Sequence, residues 1–113
     1  MTTYQSGLFA EFLTRWYLRF RGFSIVRSRY ISGRHTNRAE IDIIARRGSL
    51  MIFVEVKNRQ SAGAAFEAIG YKQAQRLRRA AETYIGHTRW KGDARFDVIV
   101  VSGLHVKWFK NAI

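Results

Sequence analysis

At 113 residues, 47% of them hydrophobic, the chain has the length of one compact domain and enough apolar mass for a buried core, which excludes intrinsic disorder. The absence of cysteine excludes disulfides, thiolate metal sites and thiol nucleophiles. Twenty Lys and Arg against eight Asp and Glu leave a net charge of +12, and fifteen of the twenty are arginine, whose planar fork suits phosphate.

Nucleic acid is the partner this charge points to. Acidic lipid, an acidic protein or plain solubility are the alternatives. The first ten residues lack a basic start, and Glu11 and Arg15 interrupt the apolar stretch, so no secretory signal is expected. No apolar run approaches the roughly 18 residues of a membrane span. The expectation is a cytoplasmic protein with no membrane contact, in one domain spanning 1–113.

In chain order, Leu8, Phe9, Phe12, Leu13, Trp16, Tyr17 and Phe20 have helical spacing and predict a helix over 6–21 with one broad apolar face, stopped at Gly22. Alternation predicts a first strand over 23–30. Residues 31–38 are polar, with Gly33 and Asn37, and read as a connection. A second strand is expected over 40–45, a turn over 46–49 and a third strand over 50–58, β-branched and apolar at its centre. After a small-residue loop over 60–65 comes a helix over 66–87, interrupted near Gly70, with Ala74, Leu77, Ala81, Tyr84 and Ile85 on one face. Strands over 95–102 and 106–110 complete the chain. The short links make the first three strands antiparallel neighbours, and the long helix is a crossover to a parallel fourth strand. The fold class is therefore α/β, a mixed five-stranded sheet flanked by helices.

Three of the eight acids, Glu40, Asp42 and Glu55, fall inside apolar strands. An ionised carboxylate taken out of water costs several kcal/mol unless it is paired or bound to a cation. A chain so poor in acids has put them where they are expensive. Glu55 and Lys57 are two apart and share a strand face, and Asp42 lies on the preceding strand. If the register brings them together, two carboxylates can hold Mg²⁺ or Mn²⁺, which makes water a better nucleophile toward phosphorus. Lys57 can then stabilise charge on the phosphate. The competing reading is structural: Glu55 and Lys57 as a solvated ion pair, with Glu40 and Asp42 paired to Arg46, Arg59 or Arg95.

Asp42 with Glu55-Val56-Lys57 resembles the PD-(D/E)XK motif of restriction-endonuclease-like nucleases, and the element order resembles their common core. The stretches Ala39-Glu40-Ile41-Asp42-Ile43-Ile44-Ala45, Phe53-Val54-Glu55-Val56-Lys57-Asn58-Arg59 and Arg95-Phe96-Asp97-Val98-Ile99-Val100-Val101 are similar to the bacterial YraN-like family, as are Gly7, Ala10-Glu11 and Asn111-Ala112. The similarity runs from about Gly7 to the C-terminus. It implies kinship with archaeal Holliday-junction resolvases, and so a Mg²⁺-dependent centre with Glu11 as a helix glutamate, Asp42 and Glu55 as metal ligands and Lys57 as the catalytic lysine. It also implies a possible homodimer, since such resolvases work as two-fold pairs. Two departures stand out: Ala39 replaces the family's usual Gly, and Ile41 stands where the motif name has Pro.

Glu11 has a competing partner in Arg15, one helical turn away. Glu40 shares a strand face with Asp42 and is a candidate extra ligand. Arg34, Arg38, Arg59, Lys72, Arg76 and Arg79 are the candidate nucleic-acid contacts, with Arg27, Arg29 and Arg78 in the same basic runs. Solvated helix faces are the alternative for these groups, and the favoured one for Lys72 and Gln73. Trp90 can stack on a base or fill the core. Trp108, Phe109 and Ile113 suit a dimer contact or the core. His35, His87 and His105 have no metal-ligand spacing. The expected function is a metal-dependent endonuclease on DNA, with branched or junction DNA as a candidate substrate. The alternatives are a noncatalytic nucleic-acid-binding module on a nuclease fold and an RNA-processing nuclease.

Overall fold

The computed structural model describes residues 3–33, 38–59 and 70–112, with side chains from Gln5 onward. The expectations for Arg34, His35 and Ile113, for the 60–65 loop and for the first turn of the second helix lie outside these residues. The elements are α1 (Thr3–Phe20), β1 (Ser24–Ser32), β2 (Ala39–Arg47), β3 (Leu50–Asn58), α2 (Tyr71–Thr88), β4 (Asp93–Ser102) and β5 (His105–Phe109). All seven match the expected order, with ends displaced by no more than three residues where both are described.

The five strands form one sheet in the order β1-β2-β3-β4-β5. β1, β2 and β3 pair antiparallel, β3 and β4 pair parallel, and β5 returns antiparallel to β4. Gly48 and Ser49 close the β2–β3 hairpin, with Gly48 at φ +59, a conformation that glycine adopts without a Cβ penalty. α1 stops where Gly22, at φ +87, lets the amides of Gly22 and Phe23 reach back to Arg19 and Leu18, each at 3.0 Å.

The helices cover opposite faces of the sheet. α2 lays Leu77, Ala80, Ala81 and Tyr84 on Tyr30, Ile41, Ile44, Met51 and Phe53. α1 lays Ala10 and Leu18 on Phe23, Ile43, Ala45, Ile52, Val54, Ile99 and Val101. β3 is buried on both sides, which is why Met51–Val54 reads as an unbroken apolar run rather than an alternation. Each fully buried Ile or Val contributes roughly 1.5–3 kcal/mol. Trp108 belongs to the α1 side of this core, edge-on to Tyr17 and Phe23, and Phe109 packs on Val98 and Val100. Trp90 packs against the α2 side, with its indole N–H on the Asp93 carbonyl at 2.9 Å.

The apolar face expected for α1 is divided. The helix meets the sheet through Ala10, Thr14 and Leu18, whereas Leu8, Phe9, Phe12, Trp16 and Phe20 face outward. Thr14 fits the core because its hydroxyl donates to the Ala10 carbonyl at 2.8 Å. Among the described residues, no helix is long and apolar enough to cross a membrane.

Candidate active site

The site forms where β2 and β3 part. Their ladder ends at the Ile43–Val54 pair. One residue earlier the in-out alternation of β2 slips: Ile41 belongs to the α2-side core and Ile43 to the α1-side core. Opposite the slip, Arg29 of β1 adopts φ +55, between the Ser28–Ile43 and Tyr30–Ile41 pairs. Asp42 sits at this break. Its carboxylate accepts the Val56 amide at 2.8 Å, so a side chain takes over a bond that the β2 backbone no longer makes.

Glu55 is buried, on the side of β3 that carries Met51 and Phe53 toward α2. Lys57, two residues on, brings its Nζ to 3.3 Å from Glu55 Oε1. Asp42, Glu55 and Glu40 line one cavity of about 260 Å³, closed from the α2 side by Gln73, Arg76 and Leu77. Arg38 and Ala39 complete its wall. The expected convergence of Asp42, Glu55 and Lys57 is thus present.

The electrostatics of the pair are unusual for a chain this basic. Burial, with the Glu55 charge next and smaller contributions from Glu11 and Glu40, pushes the Asp42 carboxyl up to about 8, although the Val56 amide acts in the opposite direction. Burial also raises Glu55, against the pull of the Lys57 ammonium. A hydrogen bond between the two carboxyls favours the ionised form of Glu55. Each carboxyl therefore resists losing its proton while the other is charged. They are close and largely desolvated, with a single bonded cation, Lys57, for two carboxyls.

That deficit fits a hard divalent cation, which takes carboxylate oxygens and keeps several waters. Among the described residues, no group of three or more His, Asp or Glu is gathered so as to cage an ion alone. Two carboxylates are the protein's offering, and Glu40 lines the cavity without completing a third.

The remaining expected residues divide. Glu11 reaches toward this region from α1 but pairs with Arg29, at 3.1 and 3.3 Å, rather than with Arg15. Arg38 and Arg76 flank the acids. Arg79 lies elsewhere, along a groove of about 410 Å³ on the outer side of α2 with Tyr71, Gln75, Arg78 and Glu82. Lys72 is exposed, as favoured, and Arg59 turns its guanidinium back to the Asn58 carbonyl at 2.9 Å. Gln73 overturns the solvated reading, because it is half-buried in the cavity wall. Helical spacing carried the signal: Gln73 stands one turn before Leu77 on the core-facing side.

A second acidic centre lies in β4. Asp97 is fully buried and accepts four hydrogen bonds: two from the Arg95 guanidinium and one from the Trp108 indole, each at 2.8 Å, and one from the Asn111 amide at 2.9 Å. It ties β4 to β5 and to the C-terminal segment.

The profile of the family described as "Uncharacterised protein family UPF0102" matches residues 10–101. The chain is similar to the UPF0102 protein of Agrobacterium fabrum, with 38% identity over 97 residues, 84% of this chain and 76% of the relative. It is similar to that of Shewanella denitrificans, with 38% identity over 114 residues and 97% of each chain. It is similar also to that of Legionella pneumophila strain Philadelphia 1, with 37% identity over 116 residues, 97% of this chain and 95% of the relative.

Proposed function

From the premise that the chain belongs to the UPF0102 family, the YraN-like group its sequence resembles, we propose that it is a metal-dependent nuclease hydrolysing phosphodiester bonds in nucleic acid, with DNA as substrate. One observation carries the reading: a protein of net charge +12 with only eight acids sets two largely buried carboxyls side by side in one cavity, where two strands part. Lys57 bonds Glu55, whereas Asp42 is held by a backbone amide rather than by one of the twenty cations. Asp42 and Glu55 would hold Mg²⁺ or Mn²⁺ between them. The ion, when bound, supplies an easier deprotonation of water and neutralises charge on the phosphate.

The chain's own groups do the rest. Lys57 holds Glu55 and offers its ammonium to the attacking water or to a phosphate oxygen. Arg38, Arg76 and Gln73 present donors around the acids, where the flanking phosphates would lie. Glu11 is a positioning residue through its bridge to Arg29, opposite Asp42 in the ladder.

The test is a panel of labelled duplex, single strand, flap, four-way junction and RNA, with Mg²⁺ or Mn²⁺. The parent protein is expected to cut at least one DNA. Asp42→Asn, Glu55→Gln and Lys57→Ala are expected to lose roughly a hundredfold or more in rate. Equal cutting by Asp42→Asn, or salt-sensitive binding with no turnover under either ion, overturns the reading and leaves a binding module.

A further inference from the structure

The outward face of α1 plays no part in the candidate site. Phe12, Trp16 and Phe20 recur every fourth residue and are 48%, 46% and 82% exposed, with Leu8 and Phe9 beside them. Aromatic rings of this size contribute about 150–250 Å² each. A patch of this kind, even at half exposure, is within the range that marks a binding surface.

A second row runs alongside. Glu11, Arg15 and Arg19 also recur every fourth residue, so they form the stripe adjacent to the aromatics. This row begins at the candidate site, because Glu11 bonds Arg29 and Arg29 lies opposite Asp42. Arg19 is stacked over Trp16 at 4.9 Å, and Arg21 covers Tyr17 at 3.6 Å. Cations and rings thus lead away from the acids in parallel tracks.

We infer that the outer face of α1 is a docking track for a single-stranded segment of the nucleic acid whose phosphodiester is held at Asp42 and Glu55; the inference rests on the nuclease reading for its placement. Single strands present phosphates and open base faces together, which is the combination that arginine and aromatic rows match. Duplex does not fit. Its base faces are hidden inside the stack, so the rings of α1 have nothing to stack on. A second copy of the chain fits less well, because pairing two such faces sets the Arg15 and Arg19 rows of two +12 molecules against each other.

Anisotropy of labelled oligo-deoxythymidine of about 20 nucleotides, against a duplex of equal length, tests this in EDTA, so no turnover is needed. Trp16→Ala is expected to weaken oligo-deoxythymidine binding about tenfold and Phe20→Ala somewhat less, with duplex affinity held within about twofold. Trp16→Phe is expected to retain most of the affinity. Neither Ala change removes a buried side chain, and unchanged melting confirms an intact fold. Equal losses on both probes, or none, overturn the inference. So does a dimer, seen by sedimentation, that Trp16→Ala dissociates while oligo-deoxythymidine binding stays unchanged. So does an effect confined to phosphatidylglycerol vesicles. Cutting by Asp42→Asn would remove the nuclease reading and leave this binding result standing, so the two failures are distinct.

Discussion

Two buried acidic centres lie in neighbouring strands of the same sheet, and they are built in opposite ways. Asp97 in β4 is surrounded by donors, two of them from the Arg95 guanidinium. Asp42 and Glu55, at the mouth between β2 and β3, face each other with one ammonium, one backbone amide and a cavity. Burying a charge is tolerable when its hydrogen bonds are complete and costly when they are not. The first centre holds the fold together. The second leaves unmet demand for positive charge, which is what a cation-binding site needs.

The strongest way to break this comparison is Asp97→Ala. It strands the Arg95 guanidinium, the Trp108 indole and the Asn111 amide, and is expected to cost about 3–5 kcal/mol in chemical denaturation. A cost below about 1 kcal/mol would mean that Asp97 is no anchor. Asp42→Asn should act in the other direction. An amide still accepts from Val56 and has no proton to hold beside Glu55, so the melting temperature is expected to rise, by roughly 1–2 kcal/mol in stability, as any cleavage is lost. A fall in stability would show that the ionised pair is structural.

pH sharpens the contrast. The Asp42 carboxyl titrates near 8 in the folded chain and near 3.9 when unfolded. Between these values the unfolded chain has released the proton that the folded one keeps. The Asp42 contribution to stability is therefore full below about pH 4 and declines up to about pH 8. The advantage of Asp42→Asn over the parent should grow across that window, and a flat difference would refute the assignment. Millimolar Mg²⁺ should raise the parent's melting temperature at pH 8 and leave that of Asp42→Asn nearly unchanged. The smallest effect is expected for Arg76→Ala, which should weaken DNA binding a few-fold and lower the salt slope by about one unit.

Much of the fold was legible from the residues. Gly22 marked the end of α1 because only glycine adopts its φ without penalty. Gly48-Ser49 between two apolar runs marked the hairpin. The site was legible through scarcity: acids within apolar strands of a chain with eight acids in all. Alternation along β2 led nowhere useful for Asp42, because the strand slips there and the rule of two fails at the residue that matters. The place of Gln73 follows from the α2 period, one turn back from Leu77, and not from its polarity. The outward aromatics of α1 could not be told from core, since apolar periodicity says that a helix has a greasy face and not which arc of it meets the sheet.

Local rules, applied to the sequence by itself, determined the elements, their order, the charge and the candidacy of Asp42, Glu55 and Lys57, because propensity, period and turn chemistry act over a few residues. Tertiary structure alone decided that β2 parts from β3 at Asp42, that the two acids line one cavity, that Arg29 rather than Arg15 takes Glu11, and that Asp97 is saturated with donors. Those outcomes depend on which distant groups meet in a dry place, and desolvation and pairing are set by neighbours in space that lie far apart along the chain.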